Sequence, residues 1–514
     1  MSKTIIIIGA GLAGLSAALQ AAENGCNVKL VSSLPSERAQ SVMAEGGINA
    51  ALNTKDENDS PEEHFTDTIK AACGLADQNA VWGMTQAAPE LVHWLLKLGV
   101  KFNMSGYDDV DLRNFGGQKK KRTAFAQSDT GKQIMTAMID AVRRKEASGM
   151  VERFSHHSFL TLRLCGNICC GCVIRDEYSQ ETVELPGDAV IVATGGMHGL
   201  FGNTTGSLSN TGEVTAELFR LGVPLANGEM IQYHPTTVKC GGKRMLISEA
   251  ARGEGGRLFA MKDGKQWYFM EEKYPELGNL MPRDITAREI WKVSHESEVF
   301  LDMTEISEEI ISNKLSGLAD DCMTYLHKDI RKEPVSVLPG IHYFMGGILV
   351  DEQHRTPIQN LCAAGECCAQ YHGANRLGGN SLLGALYGGR VAAKSACEQA
   401  DVVDLSCATQ IDFPPASQIS EIKQLNKVMQ ETMGVVRNEN TLLNGIQTVQ
   451  ALTGNLPLLG MAVLKSALAR KESRGAHWRE DYPKSNDDDY LKTTVARFDG
   501  KQIQISFVPV PERR

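Results

Sequence analysis

The sequence lacks any apolar run near the ~20 residues that a helix needs to span a bilayer, which argues against direct membrane insertion. It also lacks a basic excess, since 53 Lys and Arg against 62 Asp and Glu give a formal net charge of −9. A general binder of nucleic acid or of a membrane surface carries a basic footprint, so we expect neither kind of partner. The N-terminus has no signal-peptide layout, and we expect a cytoplasmic protein that reaches the inner face of the cell membrane only through partner subunits.

Proline is scarce beside glycine, with 17 Pro against 49 Gly in 514 residues. The glycines follow no G-x-y period, so the chain is not collagen-like, and their number indicates that backbone approaches something closely. Thirteen cysteines, an odd number scattered along a large chain, are typical of reduced intracellular thiols. The length suggests two or three domains, and 42% hydrophobic residues are enough for large cores.

The N-terminal segment carries a dinucleotide-binding pattern. A β-branched run, Thr4–Ile8, is typical of a buried parallel strand and leads directly into G-x-G-x-x-G and a helical stretch. In that setting Gly9 permits the tight turn, Gly11 lets backbone approach a pyrophosphate, and Gly14 allows close packing of helix on strand. The helix N-terminus offers unpaired N–H groups to the phosphates. This predicts a dinucleotide site without deciding between NAD and FAD.

Other strand ends run into glycine farther along the chain. The second strand leads into Ser32 rather than the acidic residue that usually binds a ribose, and Gly46 and Gly47 follow in a loop. Similar strand–glycine patterns end at Gly195 and Gly365. Strand ends spread this widely imply a discontinuous nucleotide domain with a second domain inserted, a layout that favours a flavoprotein over a nicotinamide dehydrogenase.

Five longer motifs are more specific, and they occur in a fixed order. They are QYHPT at 232–236, SEAARGEGG at 248–256, PRD at 282–284, IHYFMGG at 341–347 and HGANRLGGNSL at 372–382. With them the chain resembles the flavoprotein subunit of the succinate dehydrogenase/fumarate reductase family, which also includes L-aspartate oxidase. The resemblance runs from about residue 4 to residue 510.

The resemblance implies an α/β fold in which a Rossmann-like FAD-binding domain holds an inserted α+β capping domain and is followed by a C-terminal helical domain. We place the FAD-binding domain at 1–230 and 351–405, the capping domain at 231–350 and the C-terminal domain at 406–514. The stretch from Pro414 to Glu472 has the apolar spacing of helices.

The resemblance also implies FAD and a set of residues that contact it. The set is Gly9, Ala10, Gly11, Gly14, Ser32, Ser41, Glu45, Gly46, Gly47, Thr194, Gly195, Glu213, Glu366, Ser381 and Leu382. Ser381 and Leu382 open a helix whose N–H groups would face the flavin. Membrane-complex members attach FAD covalently through a histidine five residues before the Glu of the A-E-G-G segment. That position is Gln40 here, and no histidine precedes His64, so we expect FAD that is not covalently bound.

The substrate implied by the resemblance is a C4 dicarboxylate. His234, Ser248, His342 and Arg376 are assigned to its carboxylates, and a guanidinium suits a carboxylate because it can form two parallel hydrogen bonds. Phe125 takes the place of an aromatic near the substrate, with core packing as a nearly equal alternative. Each histidine has the alternative of a core histidine, but the flanking Pro235 and the Gly346–Gly347 pair are typical of loops at a site and favour substrate binding.

The proton donor implied by the resemblance is Arg283. An arginine has an ordinary pKa above ~12, so it needs a relay that restores its proton, and the family's relay is Glu249 with Arg252. The residue types alone would favour a structural ion pair. The order of the motifs favours the relay.

We therefore expect interconversion of fumarate and succinate by a catalytic flavoprotein subunit. Its expected partner is an iron–sulfur subunit, with or without a membrane anchor. The alternatives are L-aspartate oxidase and a related enoate reductase. The segments FGG at 115–117 and TAF at 123–125 resemble the reductase branch. We predict no metal site, because the cluster from Cys165 to Cys172 contains one C-x-x-C without a second pair.

Overall fold

A computed structural model describes residues 2–106, 109–399, 413 and 418–513 of the chain. The domain boundary expected at 405/406 and the first residues of the helical stretch expected from Pro414 lie outside the described residues.

A five-stranded parallel sheet forms the centre of the N-terminal part. Its strands, in spatial order, are Leu361–Ala363, Ala189–Val192, Thr4–Ile8, Asn27–Ser32 and Val151–Ser155. The inner strands are buried on both faces, which is why they are continuous aliphatic runs. Because all five strands run in one direction, the glycine-rich loops that follow them meet at one edge of the sheet.

Different layers cover the two faces of this sheet. Ile5 and Ile7 pack on one face against the helices Leu12–Glu23 and Asn380–Gln399. Ile6 and Ile8 pack on the other face against an antiparallel sheet, as expected when successive side chains of a strand alternate. That sheet consists of His157–Cys165, Ile168–Asp176 and Thr182–Pro186.

The hairpin expected around the cysteine cluster is present, and its thiols are structural. Cys169 and Cys172 are fully buried in the core between the two sheets. Within the described residues, no group of three or more His, Cys, Asp or Glu side chains is placed to hold a metal ion. Cys165 is disulfide-bonded, which corrects the expectation of reduced thiols throughout the chain.

A separate unit is inserted between the parts of the first domain. Its own core runs from Ile247 to Val337 and lies around a four-stranded antiparallel sheet of Lys265–Trp267, Arg257–Lys262, Val299–Asp302 and Val335–Ser336. Short helices surround this sheet: Glu249–Gly253, Phe269–Lys273, Arg283–Val293, Glu308–Lys314 and Ser316–Asp321. We call this part the capping unit.

The chain enters and leaves the capping unit through a three-stranded antiparallel sheet, which we call the hinge sheet. Its central strand, Ile231–Cys240, pairs with Lys243–Leu246 on one side and with Leu338–Phe344 on the other. The last two strands lie next to the first and last residues of the capping unit.

The C-terminal part packs on the far side of the first domain. Helices Ile419–Thr432, Glu439–Val449 and Asn455–Ala469 share a core with the helix Glu213–Arg220. The strands Lys492–Phe498 and Ile503–Pro509 extend a sheet that also contains Leu225–Ala226, Gly347–Leu349 and Cys368–Ala369. The C-terminal domain is therefore fastened to the first domain by both helices and strands.

Further short strands and helices complete the fold, and two of these helices, Gln78–Lys97 and Thr130–Ala147, contribute to the core of the first domain. These further elements are the strands Ile48–Asn49, Leu112–Arg113 and Thr123–Ala124, and the helices Pro61–Ala71, Gln78–Lys97, Thr130–Ala147 and Asp487–Tyr490. No helix of the described ranges is both long enough and apolar enough to cross a membrane.

Candidate active site

A cavity of about 540 Å³ lies where the carboxyl edge of the parallel sheet faces the hinge sheet and the capping unit. Its wall contains all the residues assigned to FAD and to the substrate from the sequence, with three exceptions. The exceptions are Gly14, Arg252 and Phe125. The fold thus brings together side chains from distant segments of the chain.

The three glycines of the G-x-G-x-x-G turn differ in what an added Cβ would meet. At Gly9 the φ angle is +110°, and a Cβ would lie 2.3 Å from the carbonyl oxygen of Ala193. At Gly14 a Cβ would lie 1.8 Å from the carbonyl oxygen of Gly9, so this residue is the contact between helix and turn and does not face the cavity. At Gly11 the nearest heavy atom would be Ser41 Oγ at 3.6 Å, an ordinary contact. The protein does not itself require glycine there, so the requirement falls on a ligand.

The residues around this turn fit FAD. Ser32 lines the cavity, and its buried Oγ has no hydrogen-bond partner in the described part of the chain, as suits a group that binds a ribose hydroxyl. Ser41 Oγ accepts the N–H of Leu12 at 3.2 Å and fixes the helix N-terminus, which is a phosphate-binding position. Ser381 and Leu382 lie in the first turn of Asn380–Gln399 and line the cavity elsewhere.

Arg113 holds the loop from Glu45 to Gly47 through hydrogen bonds to its carbonyl oxygens. The Arg113 guanidinium donates to the carbonyl oxygen of Gly46 at 2.5 Å and to that of Glu45 at 3.3 Å. Burial, together with the neighbouring Asp321, raises the pKa of Glu45 to about 8. Glu45 is therefore largely protonated at neutral pH and faces the cavity as a neutral acid.

The Gln40 side chain is hydrogen-bonded to the backbone. It begins the 3₁₀ turn Gln40–Met43 and lines the cavity, and its Oε1 accepts the backbone N–H of Ser207 at 2.6 Å. An amide side chain has no nucleophilic atom that could form a bond to a flavin.

Glu366 and Glu213 contribute carboxylates to the wall. Glu366 Oε1 accepts the N–H of Phe344 at 3.1 Å and lies 3.6 Å from Nε2 of the buried His198. Glu213 begins the helix Glu213–Arg220 after Gly212. Thr194 and Gly195 follow the strand Ala189–Val192 and complete this side of the cavity.

Two histidines from neighbouring strands of the hinge sheet face one another, with ring centroids 5.1 Å apart. Burial and the charge of Arg283 hold the pKa values of His234 and His342 well below the ordinary value, so both rings are neutral. Thr205 Oγ1 lies 2.7 Å from His342 Nδ1, and its hydroxyl can donate there and leave the proton on Nε2. His234 Nδ1 lies 3.1 Å from the carbonyl oxygen of Thr236, which can only accept, and 3.3 Å from the N–H of the same residue, so these contacts do not select one tautomer. His342 can donate Nε2–H to a carboxylate.

Arg376 is a buried cation without a carboxylate partner in the described residues. Its guanidinium lies 4.2 Å from the ring centroid of Tyr343, and its Nε makes no hydrogen bond. Burial and the nearby charge of Arg283 lower the pKa of Arg376 to about 9. A desolvated guanidinium of this kind is stabilised by an anion, and it faces the same cavity as the histidines.

Arg283, Glu249 and Arg252 form a buried chain of charges. The guanidinium of Arg283 donates to Glu249 Oε2 from Nε at 2.8 Å and from Nη2 at 2.6 Å. Arg252 Nη2 lies 3.5 Å from Glu249 Oε1, three residues along the same helix. Burial alone would raise the pKa of Glu249, but Arg283 and Arg252 hold it below the ordinary value. Only Arg283 and Glu249 line the cavity, so Arg252 stands behind them.

Ser248 precedes this chain of charges at the junction of hinge sheet and capping unit. It is buried, lines the cavity, and its Oγ accepts the N–H of Ala250 as the cap of the helix Glu249–Gly253. The Ser248 hydroxyl therefore caps the helix, and the residue also lines the cavity.

Comparison with known proteins explains this combination of sites. Protein-family models for an FAD binding domain and for a fumarate reductase flavoprotein C-terminal region match residues 4–382 and 452–513. The succinate dehydrogenase flavoprotein subunit of Bacillus subtilis (strain 168) is 38% identical over 100% of this chain and 98% of its own length. The chain belongs to the succinate dehydrogenase/fumarate reductase flavoprotein family.

Other members of the family agree. The 8-methylmenaquinol:fumarate reductase flavoprotein subunit of Wolinella succinogenes is 32% identical over 100% of this chain and 92% of that protein. The solved structure of a variant of quinol fumarate reductase FrdA from E. coli superposes with a TM-score of 0.91 at 27% identity, covering 100% of this chain and 97% of that one. The expected family, fold class and FAD-dependent oxidoreductase class are confirmed.

For this family member, the structure does not bring Phe125 to the cavity. Phe125 is fully buried, and the guanidinium of Arg113 lies 4.1 Å from its ring centroid. The neighbouring Phe115 lines the cavity instead. The core-packing alternative therefore describes Phe125 better than the substrate role.

Sequence reasoning missed several residues in or behind the wall. Gln232 stands in one of the recognised motifs and does not line the cavity, but its Oε1 accepts from Arg283 Nη1 at 3.1 Å. Thr205 sets the tautomer of His342 but lies in a segment that no motif marked. Arg244 also lines the cavity and carried no sequence signal beyond its charge.

Proposed function

We propose that this chain interconverts fumarate and succinate with FAD, as the catalytic subunit of a larger complex. One observation carries the proposal. Two neutral histidines, the unpaired Arg376 and the Arg283–Glu249 ion pair face one cavity, whose other wall holds the flavin motifs. A C4 dicarboxylate is short enough to meet both groups of cations and donors.

The roles of the side chains follow from their positions. Arg376, the Nε2–H group of His342 and the ring of His234 bind and orient the two carboxylates, and the Ser248 hydroxyl adds a further donor. Holding a carboxylate against fixed donors withdraws charge from the adjacent C=C bond, which is preorganised electrostatic stabilisation. FAD, when bound, supplies the two-electron hydride donor or acceptor.

The proton at the other carbon is assigned to Arg283. Glu249, which lies 2.6 Å from its Nη2, can take up and return the proton, and Arg252 connects this carboxylate to the interior of the capping unit. The carboxylate remains ionised because two guanidiniums flank it. A relay of this kind restores an acid whose own pKa is too high for direct exchange with water.

The test is an anaerobic assay of the FAD-loaded chain with reduced viologen and fumarate, run beside L-aspartate with oxygen. Oxidation of viologen that depends on fumarate supports the proposal. Turnover of L-aspartate with no fumarate reduction would make the chain an L-aspartate oxidase. Reduction of a bulkier unsaturated acid in preference to fumarate would indicate an enoate reductase.

FAD is proposed to be bound without a covalent link. Gln40 stands at the position of the family's flavin-linked histidine, and its amide is hydrogen-bonded to Ser207. Denaturation in acid followed by removal of small molecules should leave a colourless chain and a yellow supernatant. A chain that stays yellow would contradict this.

The proposed partner is an iron–sulfur subunit, with or without a membrane anchor, which would keep the chain at the inner face of the membrane. The family and the names of its members support this, and so does the need for an electron carrier. Purification of the untagged chain from its own cells should yield an iron-containing complex. A catalytically complete, iron-free single chain would argue against it.

The proposal includes the domain bounds of 1–230 and 351–405 for FAD, 231–350 for the capping domain and 406–514 for the C-terminal domain. The separate core of the capping unit supports an inserted domain. Limited proteolysis should cut near residues 230, 350 and 405 before it cuts within the cores. Cuts that begin inside the core from Ile247 to Val337 would contradict these bounds.

A further inference from the structure

Three cations of the cavity wall, Arg38, Lys243 and Arg244, have no role in the proposed function. Arg244 lies on the hinge-sheet strand Lys243–Leu246, in a hairpin that turns at Gly241 and Gly242. Its side chain reaches across the sheet and lies against the backbone of Gly340, where a Cβ would come within 2.6 Å of Arg244 Cδ. It lines the same cavity as the two histidines.

The position of Arg244 relates it directly to the substrate groups. Gly340, on which it lies, pairs with His234 across the sheet and stands two residues before His342. Arg244 is thus outward of the two histidines along the same sheet, toward the exposed hairpin turn. Lys243 is its neighbour in the cavity wall and is exposed.

No carboxylate of the described residues neutralises the charge of Arg244. Its Nε donates to Thr237 Oγ1 at 2.6 Å and its Nη2 to the carbonyl oxygen of Leu338 at 3.4 Å, and both acceptors are neutral. In the described residues it forms no ion pair with a carboxylate, and neither does Lys243. Burial lowers the pKa of Arg244, so the cation is partly withdrawn from water. Of the two buried arginines in the wall, Arg283 is paired with Glu249 and Arg376 is assigned to the substrate, whereas Arg244 is half-buried.

We propose that Arg244, assisted by Lys243, forms an outer subsite that attracts a carboxylate of the dianionic substrate toward His234, His342 and Arg376. This rests on the proposed function, because it supposes a dicarboxylate. A fixed cation in a low-dielectric wall raises the local concentration of an anion and stabilises the bound dianion at a distance. This attraction stabilises the bound substrate and the transition state equally. Its loss should therefore raise KM and leave kcat unchanged.

The experiment measures fumarate reduction with reduced viologen by the FAD-loaded chain at several ionic strengths. Arg244→Gln should lower kcat/KM about ten-fold at low salt, within the range known for electrostatic attraction, with kcat unchanged. The deficit should shrink as salt is raised, because the Debye length falls from roughly 10 Å at 0.1 M toward 3 Å at 1 M. Lys243→Gln should act in the same direction and less strongly, because this lysine is exposed.

Three variants separate charge from structure. Arg244→Lys keeps the charge and should retain most of kcat/KM. Thr237→Val removes the hydroxyl that holds Arg244 but leaves the charge, and should have a small effect. Lys265→Gln removes an exposed cation from the capping unit and should have none, which controls for net charge.

Binding of malonate, followed by the change in flavin absorbance, gives a readout that needs no turnover. Weaker and less salt-dependent binding in Arg244→Gln supports the outer subsite, even if fumarate proves not to be the substrate. Equal losses in Arg244→Gln, Arg244→Lys and Thr237→Val would overturn it in favour of a hinge anchor. Loss of FAD in Arg244→Gln, or unchanged kcat/KM and malonate binding, would also overturn it.

Discussion

The two walls of the cavity are built from different parts of the polypeptide. The wall on the parallel sheet presents backbone, with glycines and the first turns of two helices at the surface. The wall formed by the hinge sheet, the capping unit and the loop before the helix Asn380–Gln399 presents side chains, among them His234, His342, Arg283 and Arg376. The first wall depends on the conformation of the backbone, and the second depends on which side chains are present.

This difference predicts which substitutions disrupt each wall. A backbone wall is insensitive to most substitutions, because N–H groups are common to nearly all residues, but it fails where a Cβ would collide. A side-chain wall fails wherever a charged or donor group is removed, because its buried partners are left unpaired. Six substitutions at five positions test this contrast.

The largest effect is expected from Arg283→Ala in the side-chain wall. Turnover should fall by about 10²–10⁴-fold, the usual contribution of a positioned acid, while FAD and dicarboxylates still bind. Anaerobic viologen assays and flavin absorbance titrations measure the two properties separately. Arg288→Ala, on the same helix but packed over Trp478, is the control and should leave turnover unchanged. Retained turnover in Arg283→Ala would remove it from the acid role.

The next largest effects are expected from two glycines of the backbone wall. One substitution should lower the stability of the fold, and the other should lower the affinity for FAD. Gly14→Ala places a Cβ 1.8 Å from the carbonyl oxygen of Gly9, so the free energy of unfolding should fall by about 1–3 kcal/mol, as is typical for overpacking. Gly11→Ala meets only ordinary contacts, so the apoprotein should keep its stability and lose affinity for FAD. Urea unfolding of the apoproteins and FAD titrations test both. Equal stability losses would show that both glycines serve packing alone.

Glu45 gives a pH-dependent effect of intermediate size. Its pKa is raised to about 8 in the folded chain from 4.5 in the unfolded one, so the folded state holds the proton more tightly. The resulting stabilisation is present below pH 4.5 and is lost as the pH rises through 8. Against the unchanged chain, Glu45→Gln should gain about 1 kcal/mol per pH unit between these limits, measured by chemical denaturation. A difference that does not vary with pH would mean that Glu45 is ionised when folded.

The smallest effect is expected from Ser248→Thr. The hydroxyl and its capping bond to Ala250 are kept, so kcat/KM for fumarate should change by less than about three-fold, that is, by under 1 kcal/mol. Ser248→Ala removes both functions and should be clearly worse. If the two variants behave alike, the hydroxyl has no part in the side-chain wall.

The same contrast explains what could be predicted from the sequence. The backbone wall follows from local spacing, because a strand, three glycines and a helix are contiguous between Thr4 and Glu23. The side-chain wall joins segments far apart in the chain, and no spacing relates His234 to Arg376. Those residues were identified because their motifs resemble a family. Arg244 and Thr205 lay outside the motifs and were missed.

Two features that depend on tertiary contact could not be decided from local pattern. Phe125 follows the two-residue strand Thr123–Ala124, and its burial beneath Arg113 depends on a partner that sequence order does not reveal. The disulfide at Cys165 likewise depends on tertiary contact. Short elements and disulfides are fixed by the assembled fold and not by local pattern.

The order of strands in the parallel sheet has a consequence for synthesis on the ribosome. The first strand pairs with Ala189–Val192 through Ile5 and Ala189, and that strand in turn pairs with Cys362 through Ile191. At ~5–20 residues per second, roughly ten seconds or more pass between the emergence of Ile5 and that of Ala189. During that time the aliphatic edge of Thr4–Ile8 lacks this neighbour and is open to association with other nascent chains. We therefore expect the yield of folded chain to respond to chaperone supply more strongly than to the level of FAD.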